Sequence, residues 1–330
     1  MLSILHWPMR LNRFSGFVSI GLLLGLVSCG PVSDSHTETN TLPDSETKAS
    51  VETATNTLVI GDISKNDPVR SIEAFQPLAD YLAVELANMG IENGKVKVAP
   101  DMDTMSQWLA TGEVDVYFDS AYPALRLAKE IGAKPILRRW KKGDAEYHSV
   151  IFTLQDSGIE SMEDLSGSLI ALDSPYSTSG YMLPMYYLLE ANLRPVEKTS
   201  LESAVANDEL GYVFTYNDEN TLQWVVNGSI DAGIADNQAF AELPEDVIAD
   251  MRILLETESV PRHIAVAAPD LEQPLMDAII QVLLEVDKSE EGKAVLAQFE
   301  GTAKFDHFPT PNYLERLQEI FARVNDWSEE

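Results

Sequence analysis

Ser177, Thr178, Ser179 and Gly180 bring three hydroxyls and a glycine to one point of the chain. Residues 168–172 before them are apolar and predict a buried strand. Residues 173–176 form a turn-rich connection. Residues 181–191, after them, are apolar with helical character. The hydroxyls therefore fall where a strand hands over to a helix N-terminus. That point exposes backbone N–H groups without intrahelical partners and the positive end of the helix dipole. It can hold an anion without a charged side chain. The hydroxyls add donors, and a glycine permits close approach. Two readings stand side by side: one of these residues caps the helix, or together they cradle an anionic group.

The elements that position this point form a repeating pattern. Residues 57–60, β-branched and ending at Gly61-Asp62, predict a first strand, residues 75–86 a helix and residues 95–98 a second strand. Strand, helix, strand with short connections indicates an α/β sheet with parallel strands. Trp108-Leu-Ala-Thr-Gly112-Glu-Val-Asp115-Val116 is then echoed by Trp224-Val-Val-Asn-Gly228-Ser-Ile-Asp231-Ala232. Each copy reads as a helix ending at a glycine, a tight turn and a buried strand. One copy per half predicts two similar α/β lobes, with Trp108 and Trp224 packed between helix and sheet. Beyond the echoed strands lie Asp119-Ser120 and Tyr122 in the first half and Asp236-Asn237 in the second. Ligands of open α/β sheets bind at the carboxyl ends of strands. Asp119 and Asp236 either face such a ligand or cap the helix that follows. Further strands are expected at 149–153, 212–215 and 263–267. Helices are expected at 275–286 and in two stretches between 290 and 330.

Residues 1–29 read as an export signal, with Arg10 and Arg13 flanking an apolar stretch at 17–27 that is short for a membrane span. Leu26-Val-Ser-Cys29 resembles the lipobox of bacterial lipoproteins, which makes Cys29 the expected lipidation site. Cys29 is the only cysteine, so no disulfide forms within one chain. Residues 30–56 are polar and acidic, without an aromatic residue, and read as a disordered tether. The chain carries 23 basic and 53 acidic residues, a net charge of −30. This argues against nucleic acid and anionic membrane surfaces as partners. An anion site here must work through local dipoles. Arg138, Arg139, Lys141 and Lys142 form a local basic cluster, either paired with the acidic surface or a docking patch.

Asp173-Ser-Pro-Tyr-Ser-Thr-Ser-Gly-Tyr181 with Pro184 resembles the signature of phosphate/phosphite/phosphonate-type periplasmic solute-binding proteins of ABC importers. Residues 227–233, 259–262 and 289–292 resemble further motifs of that family, so the similarity spans roughly 57–310. The resemblance implies a two-lobed type II periplasmic-binding-protein fold. In each lobe a mostly parallel sheet is flanked by helices, and the ligand lies in the cleft between them. Residues 57–150 plus 262–330 are expected to form lobe 1 and residues 151–261 lobe 2, with hinges near 150–154 and 259–263. The ligand's oxyanion is expected on Ser177, Thr178 and Ser179. The cleft walls are expected at Tyr122 and Tyr216, and the rest of the ligand at Asp119, Ser120, Asn217, Asp218 and Asp236. Members often carry a His-Asp pair where this chain has Asn217-Asp218. Asp119 repels a fully ionised anion unless a proton is shared, and it pairs with an amine. An aminoalkylphosphonate and a ligand of another kind are therefore both open. The expected partners are an ABC-transporter permease and a membrane reached through the lipid anchor. The expected place is the periplasm or extracytoplasmic face. The protein is expected to be a monomer with no cofactor and no metal, either delivering the ligand for import or sensing it. An enzyme is not expected, because no Gly-x-Ser-x-Gly elbow is present. His148 and His263, the only well-placed bases, fall at the lobe crossovers. Tyr147-His148 and Asp119 show no metal-ligand spacing.

Overall fold

A computed structural model describes residues 56–328. In chain order the first part holds β1 (Thr57–Ile63), α1 (Pro68–Glu85), β2 (Asn93–Ala99), α2 (Met102–Ala110), β3 (Val116–Asp119), α3 (Ala121–Ile131) and β4 (Lys134–Arg139). After the short β5 (Glu146–Tyr147) come β6 (Ser149–Leu154), β7 (Leu169–Leu172) and α4 (Leu183–Glu190), which opens with a π-helical turn at Thr178–Met182. Then follow β8 (Pro195–Glu197), β9 (Leu210–Phe214), α5 (Asp218–Val226), β10 (Ala232–Asp236), α6 (Asn237–Ala241), α7 (Glu245–Ala249) and β11 (Met251–Glu256). The short β12 (Val260–Pro261) leads into β13 (His263–Ala267), α8 (Gln273–Glu285), α9 (Glu290–Gln298), β14 (Phe305–Asp306) and α10 (Glu315–Ser328).

Two six-stranded sheets result, β14-β4-β13-β3-β1-β2 and β11-β6-β10-β7-β9-β8. Each is mostly parallel. In the first, β13 and β14 oppose the other four strands; in the second, only β6 opposes the rest. Apolar side chains of β1, β3 and β13 (Leu58, Ile60, Val116, Phe118, Ala265) pack against Phe75, Leu78 and Leu82 of α1 and Ile279 and Leu283 of α8. This matches the helical spacing of those residues. The second sheet packs Phe152, Val213 and Ala235 against Leu222 and Val225 of α5.

The echoed segments do the same work in both sheets. Gly112 (φ 71) and Gly228 (φ 64) turn the chain after α2 and α5. Asp115 Oδ2 accepts the Val59 amide at 2.7 Å, and Asp231 Oδ2 accepts the Leu169 amide at 2.7 Å. Each aspartate thus pins the strand beside its own, which explains why the residue recurs at the same place.

The chain crosses between the sheets at the β5–β12 pair, where Tyr147 lies opposite Val260. Ser149 and Thr257 extend this ladder, with Thr257 N donating to Ser149 O and Ser149 N to Thr257 Oγ1. The first crossover therefore lies at 146–148 rather than at 150–154, which is interior to β6 and held on both sides. A second correction concerns the C-terminus, expected with lobe 1. Helix α10 lies against both α3 and the α4 segment. It buries Leu317, Ile320, Phe321 and Val324 beside Tyr122 and Tyr181, so its apolar stripe is shared by the two halves. Three members of the basic cluster, Arg138, Arg139 and Lys141, are paired. Arg138 binds Asp306 at 2.8 Å and Glu146 at 3.0 Å, while fully buried Arg139 and Lys141 each reach Glu300 at 3.0 Å. The expected leader, Cys29 and nearly all of the tether lie outside the described residues. Among the described residues no helix is long and apolar enough to cross a membrane, and no cluster of three or more His, Cys, Asp or Glu is placed to hold a metal ion.

Candidate functional site

The hydroxyl-rich turn begins the helix that ends as α4. Ser177 is its N-cap, with Oγ accepting the Gly180 amide at 2.9 Å. Gly180 is required by crowding: a Cβ there would sit 2.3 Å from Asp173 Cβ and 3.0 Å from Ser177 Oγ. Thr178 is fully buried, and its Oγ1 accepts the amide of Tyr122 at 2.7 Å. That amide belongs to the first turn of α3, whose N-cap Ser120 makes no side-chain capping bond. One threonine hydroxyl from the second sheet therefore satisfies a helix N-terminus of the first. Ser179 is buried near the phenol of Tyr147, whose pKa is pushed up to about 12, chiefly by burial.

A cavity of about 430 Å³ opens between the two halves beside this turn. From the first half it is lined by Ile63, Lys65, Asp119 and Ser120; from the second by Asp173, Tyr176, Ser177 and Tyr216. Asp119 receives the Tyr117 hydroxyl and, at 2.6 Å, the Ser120 amide. Burial nevertheless holds its carboxyl above the ordinary range, as it does for Asp173. Asp218 is lifted to about 7 by burial and by the nearby carboxylates of Asp173 and Asp236. Asp62, in β1, is lifted to about 6 by burial, opposed by the Ser71 hydroxyl. In the cavity lining the carboxylates of Asp101, Asp119 and Asp173 outnumber the one basic residue, Lys65, although the region also contains the N-termini of α3 and of the α4 segment.

The expected residues separate into two groups. Asp119, Ser120, Ser177 and Tyr216 line the cavity, with Thr178 and Ser179 directly behind Ser177. Tyr216 adopts φ 58 and is largely exposed at the rim. Tyr122 is corrected from wall to core: its ring packs on Tyr181 and Phe321 and its hydroxyl donates to Asn325. Asn217 caps α5 through the Glu219 amide at 2.6 Å. Asp236 is also committed inside the protein. Its Oδ1 accepts the Gln238 and Ala239 amides, and its Oδ2 binds buried Arg262 at 2.8 Å, so it holds a helix and a cation. The Arg262 guanidinium lies 4.4 Å from the Tyr147 ring centre, and its Nε has no partner among the described residues. Sequence reasoning missed Lys65, Asp173 and Tyr176 as wall residues. The signal was present for Asp173, which follows the carboxyl end of β7 as Asp119 ends β3.

Two mixed α/β halves joined by a short crossover ladder, with ligand-sized space at their strand ends, define a type II periplasmic binding protein. A family model described as ABC transporter, phosphonate, periplasmic substrate-binding protein matches residues 60–313, and the chain belongs to that family. It is therefore an extracytoplasmic solute-binding component, of a family that serves transport by ABC permeases rather than catalysis. XAC2383 from Xanthomonas citri, solved with bound chloride, is 30% identical over 82% of this chain and 99% of its own, with TM-score 0.76. The same protein bound to ATP aligns at 29% identity over 82% of this chain and 98% of its own, with TM-score 0.75. PhnD1 from Prochlorococcus marinus, in complex with methylphosphonate, shares the fold at 18% identity, covering 82% of this chain and 98% of its own, with TM-score 0.60. No curated protein matches the chain.

Proposed function

We propose that this protein is a lipid-anchored, monomeric solute receptor that captures a small zwitterion with an oxyanion head and delivers it to an ABC permease. Cys29 is the anchor, and residues 57–148 with 262–306 close against residues 149–261. The observation that carries this reading is one cavity with two kinds of wall: the Ser177–Ser179 helix terminus and the carboxylates of Asp119 and Asp173. Backbone dipole and hydroxyls suit an oxyanion, and the carboxylates with the rings of Tyr176 and Tyr216 suit an ammonium group. A phosphonate or phosphate without a positive charge meets Asp119 and Asp173 with Lys65 as the one basic side chain of the lining to offset them. A second reading, a purely cationic solute, draws support from the shortage of positive charge around Asp62, Asp119, Asp173 and Asp218.

Thermal-shift and calorimetric titration of the purified protein separate the two. The panel holds methylphosphonate, phosphite, phosphate, 2-aminoethylphosphonate, ATP and simple diamines. A ligand at 100 times its Kd stabilises by about 2.7 kcal/mol. The zwitterion reading expects a shift with 2-aminoethylphosphonate that is lost in Ser177→Ala/Thr178→Ala. It also expects none with ATP, whose phosphates meet the carboxylates. A shift with diamines alone favours the cationic reading. A tight response to inorganic phosphate or ATP overturns both.

A further inference from the structure

Beside the inter-lobe cavity lies a second one, about 530 Å³, built by the first half alone. Its chemical walls are Asp62, Ser71, Asp119, Lys141, His263 and Glu300. Strand register explains the grouping. Ile60 pairs with Val116 and Gly61 with Tyr117, which carries Asp62 and Ile63 level with Phe118 and Asp119. Asp119 pairs with Ile264, the neighbour of His263. Three adjacent strands therefore bring a carboxyl or an imidazole to one corner. Ile63 and Asp119 also line the inter-lobe cavity, so the two spaces meet at the same residues.

Most of the charge in this chamber is already used. Lys141 and Arg139 share Glu300 at 3.0 Å. Asp67 caps α1 through the Arg70 amide at 3.1 Å. Asp119 holds the Tyr117 hydroxyl and the Ser120 amide. Arg70 is exposed at the rim, where water screens it. What remains is the Asp62 carboxyl, which meets the Ser71 hydroxyl and the Ile63 amide but forms no ion pair, and His263 Nδ1, which is buried without a partner among the described residues. Burial, with Lys141, Arg139 and Arg262 close by, keeps the imidazole neutral. A neutral imidazole can present a lone pair, and a buried polar atom left unpaired is costly. A ligand ammonium brings three N–H donors for such acceptors.

We propose that this chamber receives the ammonium end of an elongated zwitterion, with Asp62 and His263 as acceptors, while the oxyanion lies on the Ser177–Ser179 turn. The chamber thus selects for ligand length, in the class of ω-aminoalkylphosphonates longer than the two-carbon member. The inference rests on the zwitterion reading above, and its test separates the two.

The full-length protein is titrated with methylphosphonate, with ω-aminoalkylphosphonates of two to six carbons, and with the matching alkylamines. The same titrations are run on Asp62→Asn, His263→Leu and Ser177→Ala/Thr178→Ala. Affinity is expected to rise with chain length to an optimum. Loss of one charge-assisted hydrogen bond in Asp62→Asn lowers affinity for the longer members roughly tenfold to a hundredfold, with little change for methylphosphonate. Asp62→Asn removes a partly buried charge and is expected to fold, and its melting curve verifies this. Phosphonate binding that is independent of length and unmoved in Asp62→Asn and His263→Leu overturns the chamber and leaves the zwitterion reading standing. Alkylamine binding lost in Asp62→Asn, without any phosphonate binding, keeps the chamber and overturns the oxyanion head. No binding of either series overturns both.

Discussion

Asp218 gives a quantitative test of the electrostatics. It stands in the first turn of α5, behind the Asn217 cap, and its carboxyl is lifted from 3.8 to about 7. Burial is the main cause, then Asp173 and Asp236, with Arg262 and Lys142 opposing. A raised carboxyl binds its proton more tightly in the folded than in the unfolded chain. Folding therefore carries no penalty from Asp218 below about pH 4, loses stability as pH rises towards 7, and holds the full penalty above that. The shift corresponds to about 4 kcal/mol at most. Asp218 is partly open to water, which reduces this by screening. A negative charge in a first helical turn also contributes about 0.3–1 kcal/mol that Asp218→Asn forfeits. Repulsion is still the larger effect, leaving a net gain of about 2 kcal/mol for Asp218→Asn at pH 8. At roughly 2–4 °C per kcal/mol in a chain of this size, Tm rises by about 4–8 °C. Calorimetric melts of both proteins at pH 4, 6 and 8 should show a difference that grows with pH. A difference that does not change with pH, or a variant less stable at pH 8, refutes the reasoning.

Three further outcomes follow from contacts already described. Gly180→Ala forces its Cβ against Asp173 Cβ at 2.3 Å. It should cost about 2–3 kcal/mol in urea unfolding through overpacking, and should abolish ligand response. Thr178→Val leaves the buried Tyr122 amide without its acceptor. The expected cost is about 1–3 kcal/mol, read from the same unfolding curves, with secondary structure unchanged by circular dichroism. Arg262→Met strands the buried Asp236 carboxylate, at a cost of about 3–5 kcal/mol. Adding Asp236→Asn should recover part of that loss, and a double variant no more stable than Arg262→Met shows that the pair is not coupled.

What was legible in the sequence was the part of the fold set by apolar periodicity. The runs at 168–172 and 263–267 read plainly because the strands they form are buried on both faces, and 57–60 because its residues are mostly β-branched and alternate buried with half-buried positions. The echo was legible because one physical device, an aspartate pinning the adjacent strand, had to be written twice. The strand Lys134–Arg139 was hidden by its own charges. Arg138 and Arg139 look like surface residues, but Asp306, Glu146 and Glu300 neutralise them inside the fold. The strand Met251–Glu256 lies at a sheet edge and alternates too weakly to announce itself. At the site, residue type located the turn at Ser177–Gly180 but could not say which acceptor each hydroxyl meets. Asn217 and Asp236 occupy positions that a ligand contact and a helix cap share equally in sequence, and only the geometry assigns them to caps.

On the zwitterion reading, the same geometry gives an acidic protein a seat for an anionic head. Two helix N-termini, of α3 and of the α4 segment, meet at the interface, and Thr178 of one caps the other. Their positive ends would repel each other if left bare. The strands leading into them end in Asp119 and reach Asp173, one carboxylate beside each helix start. The pair offsets the two dipoles, so the empty cleft has no excess of either sign at the turn itself. A plain anion seated there must displace that balance, whereas a zwitterion keeps it. On the zwitterion reading its head lies on the turn, and its ammonium group faces the carboxylates. The zwitterion reading therefore expects weak binding of phosphate without any side chain dedicated to excluding it.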